Sequence, residues 1–497
     1  MKLYKMFIAV MACSIMTSCS DWLDYTPKDK QTYDQQFGTK AGFRNAVTGV
    51  YAKMASSSLY GYNLTYGPLD IMGQLYVIPN SNASNLELKS ATWTGEYASS
   101  VFSSIWSSAY STILNANLVL QAAEESKETI LSAHDYKLIK GEMLGLRAFL
   151  HFDLLRLFGP VYTKNPEGLS IPYNNGVEAV KRDRLPANKL VSDYLLPDLN
   201  KAEELLAEVD PILEEGVLNS DGGLEGNWER YRQLRMNYYA VVLLKARLYL
   251  WTGDYDNALL EAQKITEDTK VAEFFPNVNP NRLLANSTNP DRGFSTECLF
   301  GFYENAMADI YLDTFSGSLD PSTVLQPRAG YMDLLFSSAS DYRRQSQWTG
   351  SVSSSGGDHD FIKYKSFAAN KNNPEFWATF YGLIRKSEAY YIAAECLMNK
   401  QDLPNACAYL NQVLTARGVE PLPSTTNATT LLKQIKLEYL REFRGEGQIY
   451  YLFKRYEQVF AQYYSGEPDL DAAENLLFND TNHSVRYTVP VPAEENN

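Results

Sequence analysis

The run DYKLIKGEMLGLRAFLHFDLLRLFGP, residues 135–160, constrains the fold of this chain more than any other stretch. Its apolar residues Leu146, Phe149, Leu150, Leu154, Leu157 and Phe158 recur at the spacings of one α-helical face. Ser132 and Asp135 offer side-chain oxygens to the unpaired N–H groups of a first turn. Gly159 suits a left-handed helix end, and Pro160 cannot continue the helix. Arg147 and His151, then Asp153 and Arg156, stand at spacings that share a face. The expectation is a core helix with a solvated charged edge.

Around this landmark the rest of the chain reads as mostly helical. Helices are expected over 40–55, 101–125, 188–208, 235–251, 257–266, 384–399, 405–417 and 431–458. Two regions break the pattern. Residues 56–97 are dense in Tyr, Gly, Ser and Asn. Residues 274–377 are rich in Gly, Ser, Asp and aromatics, with a short strand expected over 297–302. A final extended segment is expected over 485–492. Residues 235–266 align with 387–416 at one offset of 148, which puts Asp254 on Asp402, Ala246 on Ala394 and Ala258 on Ala406. Small residues at helix crossings around a short acidic turn form the tetratricopeptide pattern, here as separated pairs rather than an array.

The start of the chain reads as a targeting segment. Lys2 and Lys5 precede an apolar stretch, residues 7–16, too short to span a bilayer. Met16-Thr17-Ser18-Cys19 follows the bacterial lipoprotein pattern. The expected division is a signal at 1–18, a lipidated tether at 19–36 beginning on Cys19, and one domain over 37–497. An ordinary secretory signal, or a buried first helix, is the alternative. Of the later cysteines, Cys298, Cys396 and Cys407 lack metal-ligand spacing. Cys396 and Cys407 fall on neighbouring helices, where a bridge is open to them. Each sits among apolar residues, which favours buried free thiols.

Charge and motifs exclude several function classes. A net charge of −14 argues against nucleic acid, whose binding rests on Lys and Arg neutralising phosphates. None of His134, His151, His359 and His483 lies in a zinc motif. Neither a nucleophile elbow nor a P-loop is present. Asp358, His359 and Asp360 stand together in a Ser/Gly-rich stretch that reads as a solvated loop. Glu438 and Glu442 have the look of a glycosidase pair, but Arg441 and Arg444 beside them favour a helix-face ion-pair network. The expectation is therefore a binding protein, not an enzyme, with no catalytic residues, no metal and no cofactor. Tyr, at 35 residues, is unusually frequent, and its apolar ring and polar tip suit wet binding surfaces. Trp93, Tyr97, Tyr303 and Trp348 stand in irregular polar segments rather than on helical core stripes. They are the expected ligand-binding residues, because a flat ring stacks on the apolar face of a pyranose and serves peptides equally.

A family resemblance adds to this reading. The run LRAFLHFDLLRLFGPV, 146–161, resembles a helix of the SusD/RagB-type lipoproteins. So do the lipoprotein signal with Ser20-Asp21-Trp22-Leu23-Asp24 after it, and Glu297-Cys298-Leu299-Phe300. RKSEAYYIAAE (385–395), the helix carrying Glu438, Glu442, Phe443 and Gly447, and YTVPVP (487–492) complete the set. Tyr439 stands where Arg is more usual. The resemblance implies a SusD-like, mostly α fold with tetratricopeptide-like helix pairs and a loop-rich ligand region with short strands. It implies capture of an oligomeric nutrient, a glycan before all, at the cell surface. The implied partner is a SusC-like TonB-dependent transporter, with the outer membrane engaged through lipid on Cys19. Rival readings are oligopeptide capture as in RagB-like members, a lipoprotein glycosidase, and a tetratricopeptide scaffold without a small ligand.

Overall fold

The computed structural model describes residues 33–74, 76–220, 222–284, 290–304, 307–327, 331–349, 360–365, 376–457 and 487–493. The expected signal, Cys19 and most of the tether lie outside these, as do Asp358 and His359. The helices that matter here are α1 (Lys40–Met54), α2 (Glu96–Glu125), α3 (Ala133–Phe158), α4 (Leu196–Val209), α5 (Tyr238–Thr252) and α6 (Tyr255–Thr266). A two-stranded antiparallel sheet, β1 (Cys298–Tyr303) and β2 (Phe380–Arg385), follows. Then come α7 (Ser387–Asn399), α8 (Leu403–Ala416), α9 (Ala428–Glu442) and α10 (Ile449–Arg455).

Helix α3 is the hub. The Ser132 hydroxyl accepts the Asp135 N–H at 3.1 Å, the expected cap. At the other end Gly159 is extended (φ −74°, ψ 172°), not left-handed. The helix packs against both α2 and α4. A Cβ on Gly141 would stand 2.7 Å from the Leu206 side chain, so glycine sets how closely α4 approaches. The solvated edge is absent, because every residue from Gly141 to Phe158 is buried. Each charge on it has a partner from another element. Arg147 forks onto both oxygens of Asp198 at 2.7 Å and donates to Asn117 at 3.0 Å. Glu142 meets Arg232 at 2.7 Å. Asp153 accepts from Tyr60 at 2.8 Å and from Arg156, which reaches Gln448 at 2.9 Å. His151 is neutral, pushed down to about 3 by burial. Its Nδ1–H donates to the Arg147 carbonyl at 2.9 Å and its Nε2 accepts the Asn174 N–H at 3.0 Å.

The two helix pairs repeat each other down to their caps. Asp254 accepts the Asn257 N–H at 3.1 Å and its side-chain amide at 2.7 Å. Asp402, at the offset position, accepts the same groups of Asn405 at 3.4 and 2.8 Å. Ala246, Ala258, Ala394 and Ala406 are all fully buried, and α6 packs on α7, so the pairs touch. Helix α4 is reached through a π turn, Val191–Leu195. Pro197 supplies no N–H to a regular α ladder there.

The structure corrects the sequence reading at several edges. Helix α2 begins at Glu96, so Tyr97 is helical. Strand β2 occupies residues expected to open a helix, and α7 starts only at Ser387. The helix expected over 431–458 breaks after Glu442. Gly447 takes φ +70° in that break, and a Cβ there would lie 2.0 Å from the Leu64 carbonyl. Residues 56–97 are far from loose, since Asn63 to Met72 are buried and Pro68–Met72 and Ala83–Lys89 are short helices. Cys298, Cys396 and Cys407 are buried free thiols.

A buried charge lattice ties the sheet to α8 and α9. Arg343 forks onto Asp341 and meets Glu438 and Glu442 at 2.7 and 2.9 Å. Arg417 holds both oxygens of Glu297 at 2.8 and 2.7 Å and reaches Glu442 at 2.6 Å. Arg385 meets Glu442 and, at 2.9 Å, Glu446, which also holds Lys363. The network expected around Glu438 and Glu442 exists, but in the core rather than on a helix face.

Candidate functional site

The turn-rich stretch after α1 brings Tyr62 and Tyr66 to the edge of the core. Their rings meet edge to face at 5.3 Å. The hydroxyls of Tyr62 and Tyr97 are hydrogen-bonded to each other. Tyr66 continues inward to Phe315 at 6.1 Å and Tyr364 at 5.7 Å. Phe315 in turn meets Phe361 at 5.2 Å, and Phe361 meets Trp348 at 4.7 Å. An aromatic chain therefore runs from the half-buried Tyr97 and Tyr62 down to Trp348. Burial raises Tyr66 above the usual phenol range, and the nearby Glu304 and Asp313 carboxylates raise it further. The hydroxyl is held protonated. Tyr303 closes β1 at 50% exposure, one residue before Glu304, and Leu312 is 51% exposed beside Asp313. Tyr62, Tyr66 and Tyr97 thus gather near the Glu304 and Asp313 carboxylates, and Tyr303 stands exposed next to Glu304 in sequence. Such a surface offers flat apolar platforms and fixed polar groups together, the chemistry of a small-molecule or oligomer site.

The four nominated aromatics occupy different positions. Tyr303 is the exposed ring. Tyr97 is half-buried in the first turn of α2, joined to Tyr62. Trp348 is 4% exposed, beneath the Arg444 guanidinium at 5.2 Å, and belongs to the aromatic chain as an inner member. Trp93 is 7% exposed and packs edge to face on Phe102 at 5.6 Å, in the cluster at the base of α2. Both tryptophans are covered by residues distant in sequence or on the next helix, which local polarity does not reveal. The sequence reading passed over Tyr62, Tyr66, Glu304 and Asp313. The spacing of Tyr60, Tyr62 and Tyr66 in LYGYNLTYGP, three tyrosines in seven residues, was the available signal.

The paired carboxylates of α9 are built for charge, not proton transfer. Burial opposes ionisation of Glu442, but Arg417, Arg385 and Arg343 outweigh it and hold the group well below the usual range. Burial likewise opposes ionisation of Glu438, and Arg343 and Arg441 hold it low. Neither keeps a proton to donate near neutral pH. Among the described residues no three His, Cys, Asp or Glu converge as a metal site. Asp360 accepts from Tyr311 and the Gly317 N–H, each at 3.1 Å.

Comparison with known proteins decides the family. Residues 21–211 match a SusD-like model described as starch-binding and associating with the outer membrane, and residues 341–497 match the SusD family model. The chain belongs to the SusD family. SusD-like protein P2 of Formosa agariphila is 24% identical over 451 residues, 83% of this chain and 81% of that protein. A SusD superfamily protein of Bacteroides thetaiotaomicron superposes with a TM-score of 0.68 at 20% identity, covering 92% of this chain and 97% of that one. Surface glycan-binding protein A of the same species gives 0.67 at 17% identity, covering 93% and 97%. The mostly helical SusD fold is thereby shared, and these relatives are named as SusD-like or binding proteins. No helix among the described residues is long and apolar enough to cross a membrane.

Proposed function

We propose that this SusD-family protein captures an oligosaccharide at the outer face of the outer membrane. It then passes the glycan to a SusC-like TonB-dependent transporter, and lipid on Cys19 holds it at the surface. The observation that carries the reading is the tyrosine face. Tyr303 and Tyr97 present rings to the ligand and Tyr62 extends the platform. Glu304 and Asp313 accept hydrogen bonds from sugar hydroxyls. Trp348 backs the face from within through Phe361 and Phe315. The starch-binding description of the matched family model and the glycan-binding name of one structural neighbour favour a glycan over a peptide.

The test is binding to panels of oligosaccharides and oligopeptides by calorimetry, with Tyr303→Ala as the diagnostic variant. Losing one stacked ring costs about 1–3 kcal/mol, roughly tenfold to a hundredfold in affinity. Tyr303 is half exposed, so the variant should melt with the parent. Unchanged glycan affinity in Tyr303→Ala removes the face from the proposal. Selective binding of peptides replaces the glycan by a peptide.

A further inference from the structure

A second cavity lies away from the tyrosine face, where α7 begins. Its volume is about 370 Å³, and it is lined by Lys386 and Ser387 at the start of α7, Tyr390 one turn on, Asn411 and Gln412 of α8, and Asn277. We propose that this cavity binds a small carboxylate-bearing ligand of about one sugar unit, at a site separate from the oligosaccharide face.

The argument begins with charge. The Arg417–Glu297 pair forms one wall, and its two hydrogen bonds match those charges to each other. Lys386 is left over. It is 5% exposed, its Nζ donates to the Phe275 carbonyl, and among the described residues no carboxylate stands within ion-pairing distance. Burial pushes its ammonium down to about 8, with Glu297 raising it and Arg417 lowering it. A buried cation answered only by a backbone carbonyl is costly unless a counter-charge arrives. Beside it Ser387 is 2% exposed, and its hydroxyl has no hydrogen-bond partner among the described residues. Both groups stand at the N-terminal end of a helix of 13 residues, where backbone N–H groups and the helix dipole favour an anion. Ammonium, hydroxyl and helix end together ask for one monoanionic acceptor.

The remaining lining sets the ligand's size and character. The Tyr390 ring is half-buried, and Gln412 and Asn277 present exposed amides on the rim. A ring with amides around it suits a body bearing several hydroxyls. Glu297 on the wall disfavours a dianion such as a phosphate monoester. A sugar acid, carboxylate toward Lys386 and Ser387 and hydroxyls toward the amides, satisfies every group named.

The test is calorimetric titration of the purified protein with sodium glucuronate and galacturonate, against glucose and galactose at matched ionic strength, pH 7. At least one acid should bind, and its neutral counterpart should bind at least about tenfold more weakly. Ser387→Ala removes one hydroxyl without disturbing volume, and Lys386→Met removes the charge. Each should weaken acid binding about tenfold or more, the range of a charge-assisted hydrogen bond. Tyr303→Ala should leave acid binding unchanged, which separates this site from the tyrosine face. No binding of either acid, equal binding of the neutral sugars, or affinity that survives in Ser387→Ala overturns the proposal. So does loss of acid binding in Tyr303→Ala.

Discussion

Replacing Glu442 by Gln should destabilise this protein more than any surface charge change. Glu442 accepts hydrogen bonds from three guanidiniums: Arg385, Arg417 at 2.6 and 3.0 Å, and Arg343 at 2.9 Å. Around it five cations (Arg343, Arg385, Arg417, Arg441, Lys363) face five carboxylates (Glu297, Asp341, Glu438, Glu442, Glu446). The lattice is balanced as it stands. Glu442→Gln would leave one buried positive charge uncompensated and turn an N–H₂ group toward guanidinium donors. Removing one partner of a buried ion pair costs about 3–5 kcal/mol, because the other charge stays buried. Unfolding entropy is about 2.1 cal/mol/K per residue. For a chain of 497 residues that is about 1 kcal/mol per degree. The melting temperature should therefore fall by about 3–5 °C in scanning calorimetry. The control is Glu204→Gln, whose side chain is 60% exposed and pairs with Lys201 on the surface. Screening by water leaves such a pair worth little, so its shift should stay within about 1 °C. If Glu442→Gln melts within a degree of the parent, the lattice is not what joins α8 and α9 to the sheet.

Two further outcomes follow from burial. Trp348→Ala should cost about 3–5 kcal/mol of stability by opening a cavity between Phe361 and Arg444, read by urea unfolding; parental stability would return Trp348 to the exposed, ligand-facing role. Asp70 is fully buried and pushed up to about 7 by burial, against the pull of Arg444, the Gly445 N–H and the Tyr76 hydroxyl. Its folded-state value lies above the unfolded one, so its contribution is full at acid pH and is lost as pH rises through about 7. The parent should lose stability from about pH 4 to 7 relative to Asp70→Asn, and parallel profiles for the two would contradict this.

Local signals carried much of the fold. A serine before an apolar period placed the start of α3, and one offset put Asp254 and Asp402 at equivalent acidic turns, where the structure finds them capping equivalent helices. Both depend on residues within a turn of one another. The failures share a different cause, partners distant in sequence. Arg147, Asp153 and Arg156 read as a solvated edge because Asp198, Tyr60 and Gln448 are out of sight of any helical window. Strand β2 was hidden for the same reason, since Phe380 acquires its pairing from Tyr303. Trp93 and Trp348 sit in polar runs, and only the folded chain brings Phe102, Phe361 and Arg444 onto them. Of the four nominated aromatics, Tyr303 is exposed and Tyr97 half-buried, while polar surroundings gave no sign of either tryptophan's burial. Tyr62 and Tyr66 were not legible, because their segment looks like a loop until the Gly445–Gly447 turn closes over it.

That turn explains how a tyrosine-rich segment with little regular structure can hold a face at all. Asp70 accepts the Gly445 N–H at 2.7 Å, and Gly447 lies against the Leu64 carbonyl with no room for a side chain. Between the two glycines, Glu446 is fixed by Arg385 and Lys363. The segment carrying Tyr62 and Tyr66 is thus pinned to the same turn that anchors the charge lattice. A ligand surface made of turns would ordinarily lose affinity to the cost of ordering it. Here the ordering is done in folding, by buried glycine, aspartate and arginine groups. Substituting a surface ring such as Tyr303 should therefore leave in place what holds the segment.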